Sequence, residues 1–204
     1  MNHSRKTDYL VKLSVLCAIA LLFAFTPLGY LRLGVVEITL MTLPVAVGAI
    51  MLGPFGGAIL GALFGASSFI QCFGISAFGS LLLTCNPVGT LLVCFVPRVL
   101  CGLLPGLLFK SMYRPEKKNI IPCLSVSLLT PVLNTLFFTC GILLFFYRDS
   151  RFQTTMAESD ISTSSVWLFL VGLVGINGVL EAVVNGTAGT VISVTLLRGF
   201  GKKK

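Results

Sequence analysis

The chain has 204 residues, of which 55% are apolar and only 11% charged, and its mean hydropathy is +0.97. A water-soluble domain of this size needs far more polar surface, so these values exclude one. The net charge of +8 does not indicate nucleic-acid binding, because the basic residues lie at the edges of apolar runs.

Six apolar runs follow one another along the chain, as expected for about six crossings of roughly 20 residues each. The second and third runs are separated by Gly53-Pro54, a strong helix stop. The sequence therefore predicts an all-α integral membrane protein, one domain over residues 1–204, folded as a bundle of six transmembrane helices. The predicted helices are residues 9–25, 39–52, 55–73, 87–113, 119–147 and 165–197.

Basic residues cluster at the amino terminus, at one central turn and at the carboxyl terminus. The positive-inside rule places all three clusters in the cytoplasm, which agrees with four crossings before the central turn and two after it. The outer connections 26–38, 74–86 and 148–164 are the longer ones, and they are predicted as loops that cover an outward-facing pocket. The clusters contain Arg5, Lys6 and Lys12; Lys110, Arg114, Lys117 and Lys118; and Arg198, Lys202, Lys203 and Lys204.

Small residues recur every four positions in the first and third predicted helices. Such spacing lets apolar helices approach closely without a hydrophobic driving force. In the third helix the glycines indicate packing inside the bundle. In the first helix, Ala20 and Ala24 suit either internal packing or a surface that contacts a partner protein. The third-helix glycines are Gly53, Gly57, Gly61 and Gly65.

A single arginine interrupts the fourth run. Arg98 lies roughly 16 Å below Pro87 along the predicted helix, and Pro97 before it removes a backbone hydrogen bond. A charge at this depth costs several kcal/mol unless it is paired or solvated. Two interpretations stay open: a buried ion pair with Glu181, or a guanidinium presented to the carboxylate of a ligand.

Amide side chains accompany the charges. Asn177, Glu181 and Asn185 are spaced by four residues and line one stripe of the last helix. Each amide alone can be explained by a hydrogen bond between helices. Polar groups contributed by four helices instead favour a pocket for a small polar molecule. Trp167 is the single tryptophan, and this scarcity argues against a ligand with a large flat ring, although the sixteen phenylalanines leave the question open. The other amides are Gln71, Asn86 and Asn134.

Enzymatic and metal-binding patterns are not found in the sequence. The single histidine is His3, and no HExxH, GxSxG or GxxxxGK[ST] motif occurs, so we predict no catalysis, no cofactor, no metal site and no nucleotide use by this chain. The seven cysteines lack CxxC spacing and are interpreted as buried apolar residues. A disulfide between Cys72 and Cys85, across one outer loop, stays open.

Taken in order, several short stretches resemble the substrate-binding (S) components of energy-coupling factor (ECF) transporters, the bacterial vitamin importers. The resemblance covers the whole chain. Its anchors are Ala20 with Ala24, Glu37 to Val45, Gly48 to Ala58, Phe64-Gly65, Asn86-Pro87, Val96-Pro97-Arg98, Pro131 to Thr135, and Glu181 with Asn185.

The resemblance implies a six-helix fold in the bacterial plasma membrane and a vitamin site near the outer side. It also implies a transmembrane coupling protein, which Ala20 and Ala24 would contact, and two cytoplasmic ATPases that drive toppling and inward release.

The pattern is most similar to the pantothenate members. Arg98 would then meet the ligand carboxylate, and other site residues would meet its hydroxyls and amide. The alternatives are another vitamin, such as folate or pyridoxine, a proton-coupled secondary carrier that uses Glu181, or a structural subunit without a ligand. A carrier predicts inverted repeats with matched helix breaks, and only the break at Gly53-Pro54 is found. The predicted site residues are Gln71, Asn86, Arg98, Asn134, Asn177, Glu181 and Asn185.

Overall fold

A computed structural model describes the backbone of residues 3–26, 29–33, 36–114, 119–158 and 166–201, and within these ranges the side chains of 6–26, 39–114, 119–155 and 178–199. The described chain is mainly helical. Five helices, namely α1, α2, α4, α5 and α7 below, contain segments long and apolar enough to cross a membrane. The elements are α1 (His3–Phe25), β1 (Tyr30–Leu33), β2 (Val36–Thr39), α2 (Thr42–Gln71), α3 (Ala77–Cys85), α4 (Pro87–Met112), α5 (Ile120–Phe145), α6 (Ser150–Glu158) and α7 (Val166–Gly201).

Helix α2 is broken at Gly53, as the Gly53-Pro54 stop predicted. Gly53 has φ 78° and ψ −169°, a backbone conformation that glycine adopts without strain. A methyl group on Gly48 would overlap the side chain of Leu60, although residues twelve apart in a straight helix are about 18 Å apart. The arms 42–52 and 54–71 therefore fold back on each other as an antiparallel pair.

The arm 54–71 packs on α4 through the predicted stripe of glycines. A side chain on Gly57 or Gly61 would overlap the backbone carbonyl of Gly102 or Arg98, respectively. One turn further, a methyl group on Gly65 would lie 2.9 Å from the carbonyl oxygen of Cys94. The two backbones are thus in direct antiparallel contact, and the prediction of internal packing is confirmed for Gly57, Gly61 and Gly65. Gly53, the fourth glycine of the predicted stripe, instead forms the break in α2.

Helix α1 packs on α2 with its small residues inward. Ala20 is 1% exposed and Ala24 is 6% exposed, while Val11 and Leu22 on other faces are mostly exposed. Ala24 belongs to a buried cluster that includes Leu60. The spacing of Ala20 and Ala24 therefore serves packing inside this chain. The contact with a partner protein that the resemblance implied is not available to either side chain here.

The connection between α1 and α2 is not a simple loop, which corrects the prediction for residues 26–38. Strands β1 and β2 form an antiparallel hairpin in which Tyr30 pairs with Thr39 and Leu33 pairs with Val36. Both runs alternate apolar and polar residues, and the sequence between them begins with Gly34, which is typical of a short hairpin. Because residues up to Thr39 belong to β2, helix α2 starts at Thr42 rather than at residue 39.

The connections from α2 to α4 and from α5 to α7 each contain a short helix, which corrects the loops predicted for residues 74–86 and 148–164. The Ser76 hydroxyl accepts a hydrogen bond from the Gly79 amide at 3.1 Å and caps α3. The Asp149 carboxylate accepts from the amides of Arg151 and Phe152 at 2.9 and 3.2 Å, at the start of α6. These caps stabilise the ends of the two helices. The helices themselves are too short to show a helical pattern in the sequence.

The glycine contact with α4 generates a stability prediction. Gly61→Ala places a methyl group against the Arg98 carbonyl, so we expect a loss of about 1–3 kcal/mol of stability from overpacking. Gly199→Ala is the matched control, because nothing lies within 4 Å of the added methyl group. Thermal unfolding in detergent should show a lower Tm for Gly61→Ala alone. Equal Tm values for both variants would contradict the packing described.

Candidate functional site

The buried arginine is accommodated by the proline that precedes it. In a helix the amide of residue 97 would donate to the carbonyl of Val93, but Pro97 has no N–H. The Arg98 side chain turns back and its Nη1 donates to this carbonyl at 2.6 Å. Helix α4 continues through Pro97. The Pro97-Arg98 pair thus satisfies a carbonyl with a guanidinium, and one of the five N–H donors of Arg98 is used.

Two phenylalanine rings lie against the guanidinium. The Cζ atom of Arg98 is 5.3 Å from the ring centroid of Phe64 on α2 and 4.8 Å from that of Phe138 on α5. Both distances are within cation–π range. Sequence reasoning assigned neither residue to the site. It weighed Trp167, whose side chain lies outside the described residues, and left the role of the sixteen phenylalanines open. The position of Phe138 one turn after Asn134 was the available signal.

The ion pair between Arg98 and Glu181 is not formed, so that interpretation of the sequence is wrong. Within the described residues, no carboxylate lies within 4.0 Å of the Arg98 guanidinium. Glu181, which is 8% exposed, instead accepts a long hydrogen bond of 3.5 Å from the hydroxyl of Thr42 on α2. Arg98 is 9% exposed, and its Nε is buried without a partner in the described part of the chain.

Asn134 also carries an unsatisfied polar atom into the bundle. It is as buried as Arg98, and its Oδ1 has no hydrogen-bond partner among the residues that the structure describes. It lies one turn before Phe138 and therefore on the same face of α5. Buried polar atoms are nearly always paired in folded proteins. A donor on Arg98 and an acceptor on Asn134, both unpaired, are typical of a site that binds a polar guest.

Asn185 joins two elements through its Nδ2, while its Oδ1, like that of Asn134, is buried without a partner among the described residues. Its Nδ2 donates to the carbonyl of Thr39 at 2.9 Å and to that of Glu181 at 3.0 Å. It therefore fastens the end of the β-hairpin to α7, one turn below Glu181. The side chain of Asn177, the third member of the predicted stripe, lies outside the described residues.

Asn86 caps one helix, and Gln71 joins two helices. The Asn86 Oδ1 accepts from the Gly89 amide at 2.9 Å and caps α4, about 18 Å along the helix from Arg98. The Gln71 Nε2 donates to the Ala24 carbonyl at 2.7 Å and joins α2 to α1. Both were predicted as site residues, and both make bonds that explain their presence without a ligand.

The comparisons with known proteins agree with this fold. Residues 8–193 match the family model described as ECF transporter, substrate-specific component. The chain belongs to this family. This S component is 31% identical over 186 residues to the pantothenate transporter PanT of Leuconostoc mesenteroides, with 88% of this chain and 87% of that protein covered.

A crystal structure of the S-component for biotin from an ECF-type ABC transporter has a similar fold. The TM-score is 0.63, the identity is 16%, and the match covers 97% of this chain and 95% of that one. At this identity the likeness concerns the fold alone.

The disulfide considered between Cys72 and Cys85 is not present in this S component. Both cysteines are free, and the Cys72 sulfur lies 3.8 Å from that of Cys94 on α4. The two sulfurs are buried between the arm 54–71 and α4, in keeping with a packing role for cysteine.

A cleft of about 490 Å³ opens at the other end of the bundle, not around Arg98. It is bordered by Gly53 and Pro54 at the turn of α2, by Lys110 and Tyr113, and by Leu197 of α7. Lys110 is about 18 Å along α4 from Arg98. The cleft is thus the space beyond the short arm 42–52 of α2, and it does not contain the predicted polar site.

Asn185 and Asn134 are expected to differ in their effect on stability without any ligand. Asn185→Ala removes two hydrogen bonds and should cost about 1–2 kcal/mol. Asn134→Ala removes an oxygen that has no partner among the described residues, so the Tm should fall less or rise. Thermal unfolding of the two variants in one detergent measures this difference. An equal or larger loss for Asn134→Ala would overturn these assignments.

Proposed function

We propose that this S component is the pantothenate-binding subunit of an ECF importer. The observation that carries the proposal is the buried, unpaired guanidinium of Arg98, whose remaining donors suit a carboxylate. The 31% identity to the pantothenate transporter PanT supports this choice among vitamins. The chain itself would bind the vitamin, and the energy would come from ATPases.

The chemistry of pantothenate matches the unsatisfied groups. The molecule has one carboxylate, two hydroxyls and an amide. Arg98 uses one N–H on Val93, so its planar fork is free to bind the carboxylate through charge-assisted hydrogen bonds. The Asn134 amide can bond a hydroxyl or the ligand amide. Glu181, held by a single long bond from Thr42, can accept from a hydroxyl.

The charge balance follows from the separation of Arg98 and Glu181. If they were paired, a monoanion would have to break the pair and leave Glu181 without a partner. Because they are apart, the ligand carboxylate neutralises Arg98 while Glu181 keeps its own hydrogen bond. The vitamin carboxylate thus pairs with Arg98, while Glu181 stays available to accept a hydrogen bond from a ligand hydroxyl.

Six crossings with both termini inside are the topology that we propose for the bacterial plasma membrane. The antiparallel arms 42–52 and 54–71 supply two crossings from α2, and α1, α4, α5 and α7 supply one each. We propose that the vitamin is captured from outside and is delivered inward by toppling, with a transmembrane coupling protein and two cytoplasmic ATPases.

Replacement of Arg98 tests the proposed function. We expect Arg98→Lys to weaken pantothenate binding by about 10- to 100-fold, since lysine keeps the charge but loses the bidentate fork. Arg98→Ala should weaken it further. Isothermal titration of the purified protein in detergent measures the affinity, with Arg151→Ala, at an exposed position, as the control. Full affinity in Arg98→Ala would remove Arg98 from the site, and no binding by the natural protein would refute pantothenate.

Fusions of alkaline phosphatase test the topology, because this enzyme is active only outside the cytoplasm. Fusions after Gly53, Gly74 and Arg114 should show low, high and low activity, respectively. If α2 crossed the membrane once as a single helix, the fusion after Gly74 would be inactive. Matched fusions to green fluorescent protein should give the opposite pattern of signal.

A further inference from the structure

We propose that Phe138 is a positioning residue that fixes the Arg98 guanidinium for a carboxylate. It would thereby set the preference of the site for an acid over its uncharged analogue. This inference rests on the proposed function and names the residue that makes its specificity possible.

Residues from two helices, α4 and α5, meet at the Arg98 guanidinium. Arg98 belongs to α4 and Phe138 to α5, and the Cζ atom lies 4.8 Å from the centroid of the ring. The face of an aromatic ring attracts a cation, and the attraction is larger where water is excluded. Since Phe138 lies one turn beyond Asn134, the ring is next to the other unsatisfied group of the site.

The ring restricts a side chain that would otherwise have many conformations. A long side chain in a bilayer tends to extend toward the nearest water. Arg98 has no carboxylate partner within the described residues, so its position depends on the Val93 carbonyl and on the rings of Phe64 and Phe138. A guanidinium that is already oriented loses less entropy when the ligand binds.

Phe138 is itself held by a chain of rings from the outer helices. Its centroid lies 6.3 Å from that of Phe78 on α3, Phe78 lies 6.3 Å from Phe152 on α6, and Phe152 lies 6.0 Å from Phe146. Such spacings are favourable for aromatic pairs. Phe146 and Phe152 are fully buried. The two short helices therefore keep the Phe138 ring over the guanidinium.

Phe138 is a better residue to test than Phe64. Phe64 is 2% exposed and lies in the buried cluster with Leu60 and Val45, so its replacement would leave a cavity that destabilises the bundle. Phe138 is only partly buried. Phe138→Leu removes the ring with little change in volume, and Phe138→Tyr retains the ring.

The experiment compares an acid with its neutral counterpart. Pantothenate and pantothenol, in which an alcohol replaces the carboxylate, are titrated calorimetrically into the natural protein, Phe138→Leu and Phe138→Tyr. We expect Phe138→Leu to weaken pantothenate binding by about tenfold and to change pantothenol binding by less than about threefold. Phe138→Tyr should retain the natural preference. Phe69→Leu is the control for the loss of a phenylalanine ring elsewhere in the bundle, because the Phe69 ring pairs with the ring of Phe73.

The outcomes separate this inference from the proposed function. An equal loss for both ligands in Phe138→Leu would show a structural role and overturn the proposal, as would unchanged affinities. If the natural protein does not bind pantothenate, the proposed function fails. The same variants are then titrated with biotin and biotinamide, and a selective loss of the acid would still support the role of Phe138. Binding of neither pair by the natural protein would refute both.

Discussion

The contact between the arm 54–71 and α4 determines where the polar groups of this protein can lie. Gly61 faces the carbonyl of Arg98 itself, so the neighbouring backbone fixes the helix that carries the cation. No side chain of the arm fits between the two backbones at this point. The guanidinium instead reaches the rings of Phe64 and Phe138. Small residues thus place a charge against aromatic rings, and the site is a consequence of helix packing.

The energetic problem of a buried cation is solved locally and only in part. Pro97 frees a carbonyl that the Arg98 side chain occupies, and the rings supply further stabilisation. Glu181 is also stabilised locally, because the Thr42 hydroxyl donates a hydrogen bond to its carboxylate. The two side chains form no direct ion pair, which leaves donors of Arg98 unused. A fully paired site would be more stable without a ligand and would bind it less tightly, because the existing pair would have to be broken first.

Sequence reasoning located the helix stop at Gly53, the glycine stripe and the burial of Arg98, because each follows from residue type and spacing. It failed where the outcome depends on tertiary neighbours. The spacing of Ala20 and Ala24 could not show which face of α1 is buried. Sequence reasoning did not show that Asn86 caps α4, because this bond depends on where the helix begins. The β-hairpin and the helices α3 and α6 were missed because four to nine residues show little periodicity. Among the chain's sixteen phenylalanines, only the position of Phe138 one turn after Asn134 could have indicated one of the two that reach Arg98.

The unequal lengths of neighbouring helices bear on how the bundle sits in lipid. Gly106 packs against Pro54, so the turn of α2 stops six residues, or about 9 Å, before α4 ends. The arm 42–52 is roughly 16 Å long, well under the thickness of a bilayer core of about 30 Å. Lipids beside it must thin, or the whole body must lean, to keep apolar groups out of water. When the bundle stands along the membrane normal, hydrophobic mismatch therefore costs free energy only on the side of the arm 42–52. A tilt of the bundle toward that side reduces this cost.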